Sequence, residues 1–151
     1  MTASESPGSV SEVREAAFRL LARREHSAKE LVFKLVGKGW PEMIVEQVIV
    51  DLAESGLQSD RRFTDSLIRD RVSRHYGPRR ILAELHDRGI DPALASNAID
   101  EAHIDFFALA TAFYKKKYGA PDRGLEYKER AKRAQSLYRR GFDSDHFRDL
   151  N

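Results

Sequence analysis

Apolar residues recur along this chain at intervals of three and four, the spacing of one helical face. No stretch alternates long enough to read as a strand, so the class is all-α. The clearest element runs from Tyr76 to Pro92. Gly77 turns the chain, and Pro78 suits a first helical position, where a missing N–H costs nothing and φ is already helical. Ile81, Leu82 and Leu85 make one apolar face. Gly89 fits the left-handed residue past a helix end, and Asp91-Pro92 opens the next helix with Asp91 as N-cap.

The same pattern stands fifty residues earlier. Ser27 and Glu30 form a capping box, in which each side chain satisfies a free N–H at the helix start. Leu31, Val32 and Leu35 align with Ile81, Leu82 and Leu85, and Gly39 aligns with Gly89. Beyond the glycines, Ile44, Val45, Val48, Ile49 and Leu52 align with Leu94, Ala95, Ala98, Ile99 and Ala102. A weaker copy places Leu137, Gly141 and Phe142 against Leu85, Gly89 and Ile90. Self-similarity at this period indicates stacked supersecondary units. The predicted architecture is three tandem three-helix repeats in an elongated, curved array. Residues 1–9 form a disordered tail, 10–58 repeat one, 59–103 repeat two, and 104–151 a basic repeat three whose last helix is short.

Within this frame the pattern makes specific expectations. Val13, Ala17, Leu20 and Leu21 face the first core, and Asp60 is the N-cap of the helix that opens repeat two. From Ala93 to Tyr118 there is no Gly or Pro. A break at 103–105 follows from the repeat alignment, against the alternative of one continuous helix. Phe107, Thr111, Tyr114 and Tyr118 form one stripe in repeat three; Tyr127, Ala131, Ala134 and Tyr138 form the buried stripe of its second helix.

Composition narrows the chemistry. The 151 residues contain no cysteine, which removes disulfides, thiolate nucleophiles and Cys-based zinc sites. There is no phosphate-binding glycine loop, no Gly-x-Ser-x-Gly elbow, and no paired spacing among the five histidines. His26, beside the Ser27 cap, reads as structural. The expectation is a non-enzyme with no cofactor, metal or small-molecule substrate. No apolar run reaches membrane-spanning length and the start lacks a signal-peptide pattern, so a cytoplasmic location is expected.

Net charge is +2 but uneven. From Ile104 onward there are eleven basic residues against seven acidic ones, whereas the first 58 residues carry seven against nine. Many charges pair at i,i+4: Asp65 with Arg69, Asp70 with Arg74, Arg80 and Arg88 with Glu84, Glu126 with Arg130, Glu129 with Arg133. Arg62 and Arg79 lack a carboxylate at that spacing. Lys115, Lys116 and Lys117 are consecutive, and Lys128, Lys132 and Arg139 share a helical face without a carboxylate. Such a face is either plainly solvated or relieved by a phosphate backbone or acidic surface. Tyr118 and Tyr138 can pack into a core or stack on bases.

The sequence Arg24-Glu25-His26-Ser27 with Glu30-Leu31 and Lys34-Leu35, then Arg62-Phe63, then Tyr76-Gly77-Pro78 with Arg80-Ile81, Glu84-Leu85 and Gly89-Ile90, resembles the RecX regulatory family. Arg140-Gly141-Phe142 resembles the ending of that family's third repeat, and the likeness runs from Val13 to Leu150. The resemblance implies a non-enzymatic regulator that lies in the groove of the RecA recombinase filament on single-stranded DNA. There it restrains strand exchange, filament growth, ATP hydrolysis and coprotease activity. Lys115, Lys116, Lys117, Lys128, Lys132 and Arg139 are the expected filament- or DNA-facing residues, with Arg62 and Arg79 contributing. Duplex DNA is a further candidate partner. Two other classes stay open: a helix-turn-helix transcription regulator that reads duplex sequence, and a scaffold that binds protein alone.

Overall fold

The computed structural model describes residues 9–150. Among them are nine α-helices, a closing 3-10 turn and no strand. The first three are α1 (Val10–Arg23), α2 (Ala28–Gly37) and α3 (Glu42–Glu54). Next come α4 (Asp60–Ser73), α5 (Pro78–Asp87) and α6 (Pro92–Glu101). The last are α7 (Phe106–Tyr118), α8 (Tyr127–Arg139) and α9 (Ser144–Phe147). The expected tail lies outside the described residues except for Ser9. That residue is buried and caps α1, accepting from the Glu12 N–H at 3.3 Å.

The chain divides into two compact units. One is formed by residues up to Ser66 together with Arg88–Asp91, the other by Leu67–Asp87 together with Pro92 onward. In the first, α1, α2 and α3 pack on one another around Val13, Ala17, Leu20, Leu31, Leu35, Val45 and neighbours. Each fully buried aliphatic side chain of this size contributes about 1.5–3 kcal/mol, which is what holds short helices together that would not persist alone.

Polar groups fix how α2 starts. Ser27 and Glu30 form the expected capping box. The Glu30 carboxylate, 7% exposed, also receives Arg24 at 2.6 Å and Arg88 at 2.8 Å. Burial alone would push the Glu30 carboxyl up; the Arg24 hydrogen bond, the Arg24 and Arg88 charges and the Ser27 N–H outweigh it and hold it below the usual carboxylate range. His26 is 1% exposed, with Nδ1 3.0 Å from the Arg24 carbonyl and Nε2 3.0 Å from Lys34 Nζ. A ring that donates from Nδ1 and accepts from the ammonium at Nε2 satisfies both contacts as the neutral imidazole. Its structural role is the expected one.

Asp60 differs from expectation. It is the first residue of α4, and Ser59 supplies the cap, accepting from the Arg62 N–H at 3.1 Å. The Asp60 carboxylate is drawn away by Gln58 Nε2 and accepts the Ala28 N–H at 2.9 Å, so it caps α2 instead. Sequence spacing shows the cap residue but not the helix start it serves.

In the second unit α5 packs on α6, and α7 and α8 pack on α9. The break near 103–105 is present. His103 takes φ 50° past the end of α6, and Asp105 caps α7 by accepting the Ala108 N–H at 3.0 Å. Histidine tolerates the left-handed region better than most residues, which is why no glycine marks this turn.

The two stripes expected in repeat three are corrected. Ala110 and Tyr114 are buried on α7, while Phe107 is 57% exposed. On α8 the buried positions are Ser136 and Leu137; Tyr127 and Tyr138 are 81% and 55% exposed. Leu137 joins Tyr114, Phe142, Phe147 and Leu150 in one core, with Tyr118 and Ala134 at its edge. The Tyr138 ring lies outside this core, with the Arg79 guanidinium over it at a centroid distance of 3.8 Å.

Candidate nucleic-acid interface

The second unit brings together two glycine-bearing segments that lie far apart in sequence. The Gly77 N–H donates to the Arg140 carbonyl at 2.9 Å, and the Arg79 N–H to the Gly141 carbonyl at 3.1 Å. This docking carries side chains with it. Arg140 donates from Nε to the His75 carbonyl at 3.1 Å and from Nη2 to the Arg74 carbonyl, so it caps the C-terminal end of α4. Its guanidinium lies 3.9 Å from the Tyr76 ring centroid and 4.8 Å from that of Phe113. His75 holds the left-handed turn there, φ 63°.

The ends of α4, α7 and α8 thereby border an open cleft of about 540 Å³. Arg74, His75 and Tyr76 line one side, Phe113, Lys116 and Lys117 another, and Arg140 joins them. No carboxylate is among the lining residues.

The three consecutive lysines point in different directions, because successive helical residues lie about 100° apart. Lys117 turns toward α8, with Nζ 2.7 Å from Ser136 Oγ and 5.7 Å from the Phe113 centroid. Lys116 borders the cleft; Lys115 is exposed and does not. Lys128, Lys132 and Arg139 are exposed on α8, make no salt bridge among the described residues, and do not line the cleft.

Arg62 and Arg79 have partners that helical spacing did not show. Arg62 binds Glu25 at 2.7 Å and the Gly56 and Leu57 carbonyls at 2.8 and 3.2 Å. Arg79 stacks on Tyr138, donates to the Tyr138 and Phe142 carbonyls, and lies 3.7 Å from Asp143. Asp65 binds Arg61, four residues before it, at 3.1 Å. Two other pairs depart from i,i+4 spacing: Glu84 is held by Arg71 at 2.9 Å, and Arg88 reaches Glu30. Glu129 and Arg133 pair as expected at 3.0 Å, and Asp70 and Arg74 at 3.3 Å.

Sequence reasoning missed Arg74, His75, Phe113 and Arg140 as cleft residues. The available signal was the pair of segments Tyr76-Gly77 and Arg140-Gly141, each a glycine beside an aromatic or cationic residue. Nothing in one dimension shows that they meet.

Among the described residues no group of three or more His, Cys, Asp or Glu is placed to hold a metal ion. No helix is long and apolar enough to cross a membrane. The fold defines a class: all-α proteins of short packed helices, here with a cation-lined cleft. The chain matches the first three-helix domain of RecX over residues 14–52, the second over 59–99 and the third over 104–150. It is 40% identical over 147 residues to the regulatory protein RecX of Halorhodospira halophila, covering 96% of this chain and 89% of that one. With the Chromohalobacter salexigens regulatory protein RecX it shares 38% over 135 residues, 89% of this chain and 88% of the other. The crystal structure of RecX from Lactobacillus salivarius superposes with a TM-score of 0.75 over 93% of both chains, at 23% identity. A second RecX crystal structure gives 0.77 at 20% identity, over 93% of this chain and 72% of that one. The chain belongs to the RecX family of regulatory proteins, which are not enzymes.

Proposed function

We propose that this protein binds the RecA recombinase filament on single-stranded DNA in the bacterial cytoplasm. There it inhibits recombinase, ATPase and coprotease activities, and so restrains recombination, repair and the SOS response. The observation that carries this reading is the set of exposed cations Lys115, Lys116, Lys128, Lys132 and Arg139 on α7 and α8, on a chain that matches RecX units over residues 14–52, 59–99 and 104–150. A surface of this kind suits a polymer made of both protein and phosphate, because neutralising phosphates releases counterions.

Lys115, Lys116, Lys117, Lys128, Lys132 and Arg139 face the filament or its DNA in this reading. Arg62 and Arg79, whose side chains keep 48% and 40% exposure beside their internal partners, are secondary contributors.

The test is to add the protein to preformed RecA filaments on single-stranded DNA and follow ATP hydrolysis and filament length. Hydrolysis should slow and filaments shorten. Charge reversal of Lys115, Lys116 and Lys117 should weaken binding without lowering helicity. Unchanged hydrolysis at saturating protein would refute the reading. Preference for one duplex sequence over single strands would favour a transcription regulator instead, and salt-insensitive binding to RecA alone a protein-only scaffold.

A further inference from the structure

The cleft at the ends of α4, α7 and α8 has properties that the exposed α8 face lacks. It is concave, and its volume of about 540 Å³ falls within the ~300–1,000 Å³ of typical ligand sites. Arg74, Lys116, Lys117 and Arg140 converge on it. Helix C-termini attract cations, but each carries only about half a negative charge; three such ends do not balance four cations. The nearest neutralisation is Asp70, 3.3 Å from Arg74 and also bound to Arg71. Arg140 spends Nε and Nη2 on backbone carbonyls, which leaves Nη1 without a hydrogen bond among the described residues. Lys116 makes no salt bridge among them either.

We propose that this cleft seats one nucleotide unit of a single-stranded nucleic acid, its phosphate held by Lys116, Arg74 and Arg140 Nη1. The proposal rests on the filament-binding reading only for the source of the strand. The aromatic faces are already engaged by cations: Tyr76 by Arg80 and Arg140, Phe113 by Arg140 and Lys117. Recognition is therefore through charge and not through base stacking, and it is indifferent to sequence. A single strand fits the concavity better than a duplex. The duplex phosphates lie on a stiff cylinder, with a persistence length of about 50 nm, that resists folding a backbone unit into a concavity.

The test is fluorescence anisotropy of end-labelled dT15 with the full chain, across a salt series. Arg74→Ala with Lys116→Glu should weaken binding about tenfold or more, and neutralising each cation should flatten the log–log salt slope by about 0.7. Arg23→Glu with Lys38→Glu, exposed residues outside the cleft and outside the proposed filament-facing set, should cost less than about threefold. Wild-type affinity should be equal for dT15 and dA15 and weaker for the matched duplex. Thymidine monophosphate in excess distinguishes the sources: displacement of dT15 assigns the cleft to a free nucleotide as well, and its failure assigns it to a strand, both within the proposed chemistry. The proposal is overturned if the Arg23 and Lys38 variant loses as much affinity as the cleft variant, if duplex binds better, or if a glutamate 15-mer competes as well as unlabelled dT15. Should the double variant lose helicity, Lys116→Gln alone replaces it, with a threefold loss expected and no loss overturning. If wild-type protein leaves RecA hydrolysis unchanged, the filament reading fails while dT15 binding still decides the cleft.

Discussion

The backbones of Gly77 and Gly141 lie against each other so closely that neither position has room for a side chain. A Cβ on Gly77 would sit 2.4 Å from the carbonyl carbon and oxygen of Gly141. One on Gly141 would sit 2.5 Å from the Arg80 Cβ, at a φ of +105° that L residues rarely adopt. Backbone cannot move aside as a flexible side chain can, so the contact requires glycine on both sides.

Gly77→Ala and Gly141→Ala should each destabilise the protein by about 2–3 kcal/mol through overpacking. Gly37→Ala, where a Cβ meets nothing within 4 Å, should be neutral or stabilising by up to about 1 kcal/mol. Thermal melts of the three variants check the contrast, and the first two should also open the cleft and weaken dT15 binding.

Glu30 is a carboxylate shared by two arginines. Glu30→Gln keeps the shape and can still accept from the Ser27 N–H, but it removes the charge between Arg24 and Arg88. Removing one partner from a buried pair costs about 3–5 kcal/mol; here the arginine side chains are 45% and 35% exposed, so about 1–3 kcal/mol is expected. Glu30→Ala should cost about 1 kcal/mol more through the lost cap. Urea unfolding measures both.

The pH dependence of this network follows from its two titrating groups. The Glu30 carboxyl is held below its ordinary value of 4.5, so the unfolded chain binds its proton first. Its contribution is present above that value and is lost as pH falls through the folded one. His26 is depressed below 6.5, chiefly by burial, with the Arg24 and Lys34 charges adding to it. Its contribution is present above 6.5 and declines as pH falls toward the folded value. Wild-type stability should therefore drop between about pH 7 and 5 more steeply than that of His26→Gln, and between about pH 5 and 3 more steeply than that of Glu30→Gln. Flat profiles in both windows would contradict the protonation states assigned here.

Arg79 ties the start of α5 to the segment after α8. Arg79→Ala should cost about 1–3 kcal/mol, and Arg79→Lys should recover little of it, since an ammonium cannot both stack on Tyr138 and reach two carbonyls. Lys128→Ala, on an exposed face, should stay within about 0.5 kcal/mol of wild type. Circular dichroism melts separate the two.

The sequence by itself determined the helices, most of their ends, the three-unit order and the family likeness. These rest on local rules: apolar spacing along one helix, a cap three residues from its partner, a proline or glycine at an end. The Ser27–Glu30 box, Pro78 at the start of α5 and the left-handed Gly89 were legible for that reason. Only the tertiary structure decided which charges are free and which are spent. Arg62, Arg79 and Arg88 looked either unpaired or paired within their own helix, and each found a partner from another element. Lys115–Lys117 are consecutive in sequence, yet Lys115 stands clear of the cleft while Lys116 and Lys117 line it, Lys117 also reaching Ser136. Tyr138 looked buried and is instead capped by an arginine. The reason is physical: helix formation is set within a turn or two of chain, whereas an ion pair or a cleft depends on which helix ends the packing of cores brings within a few ångströms.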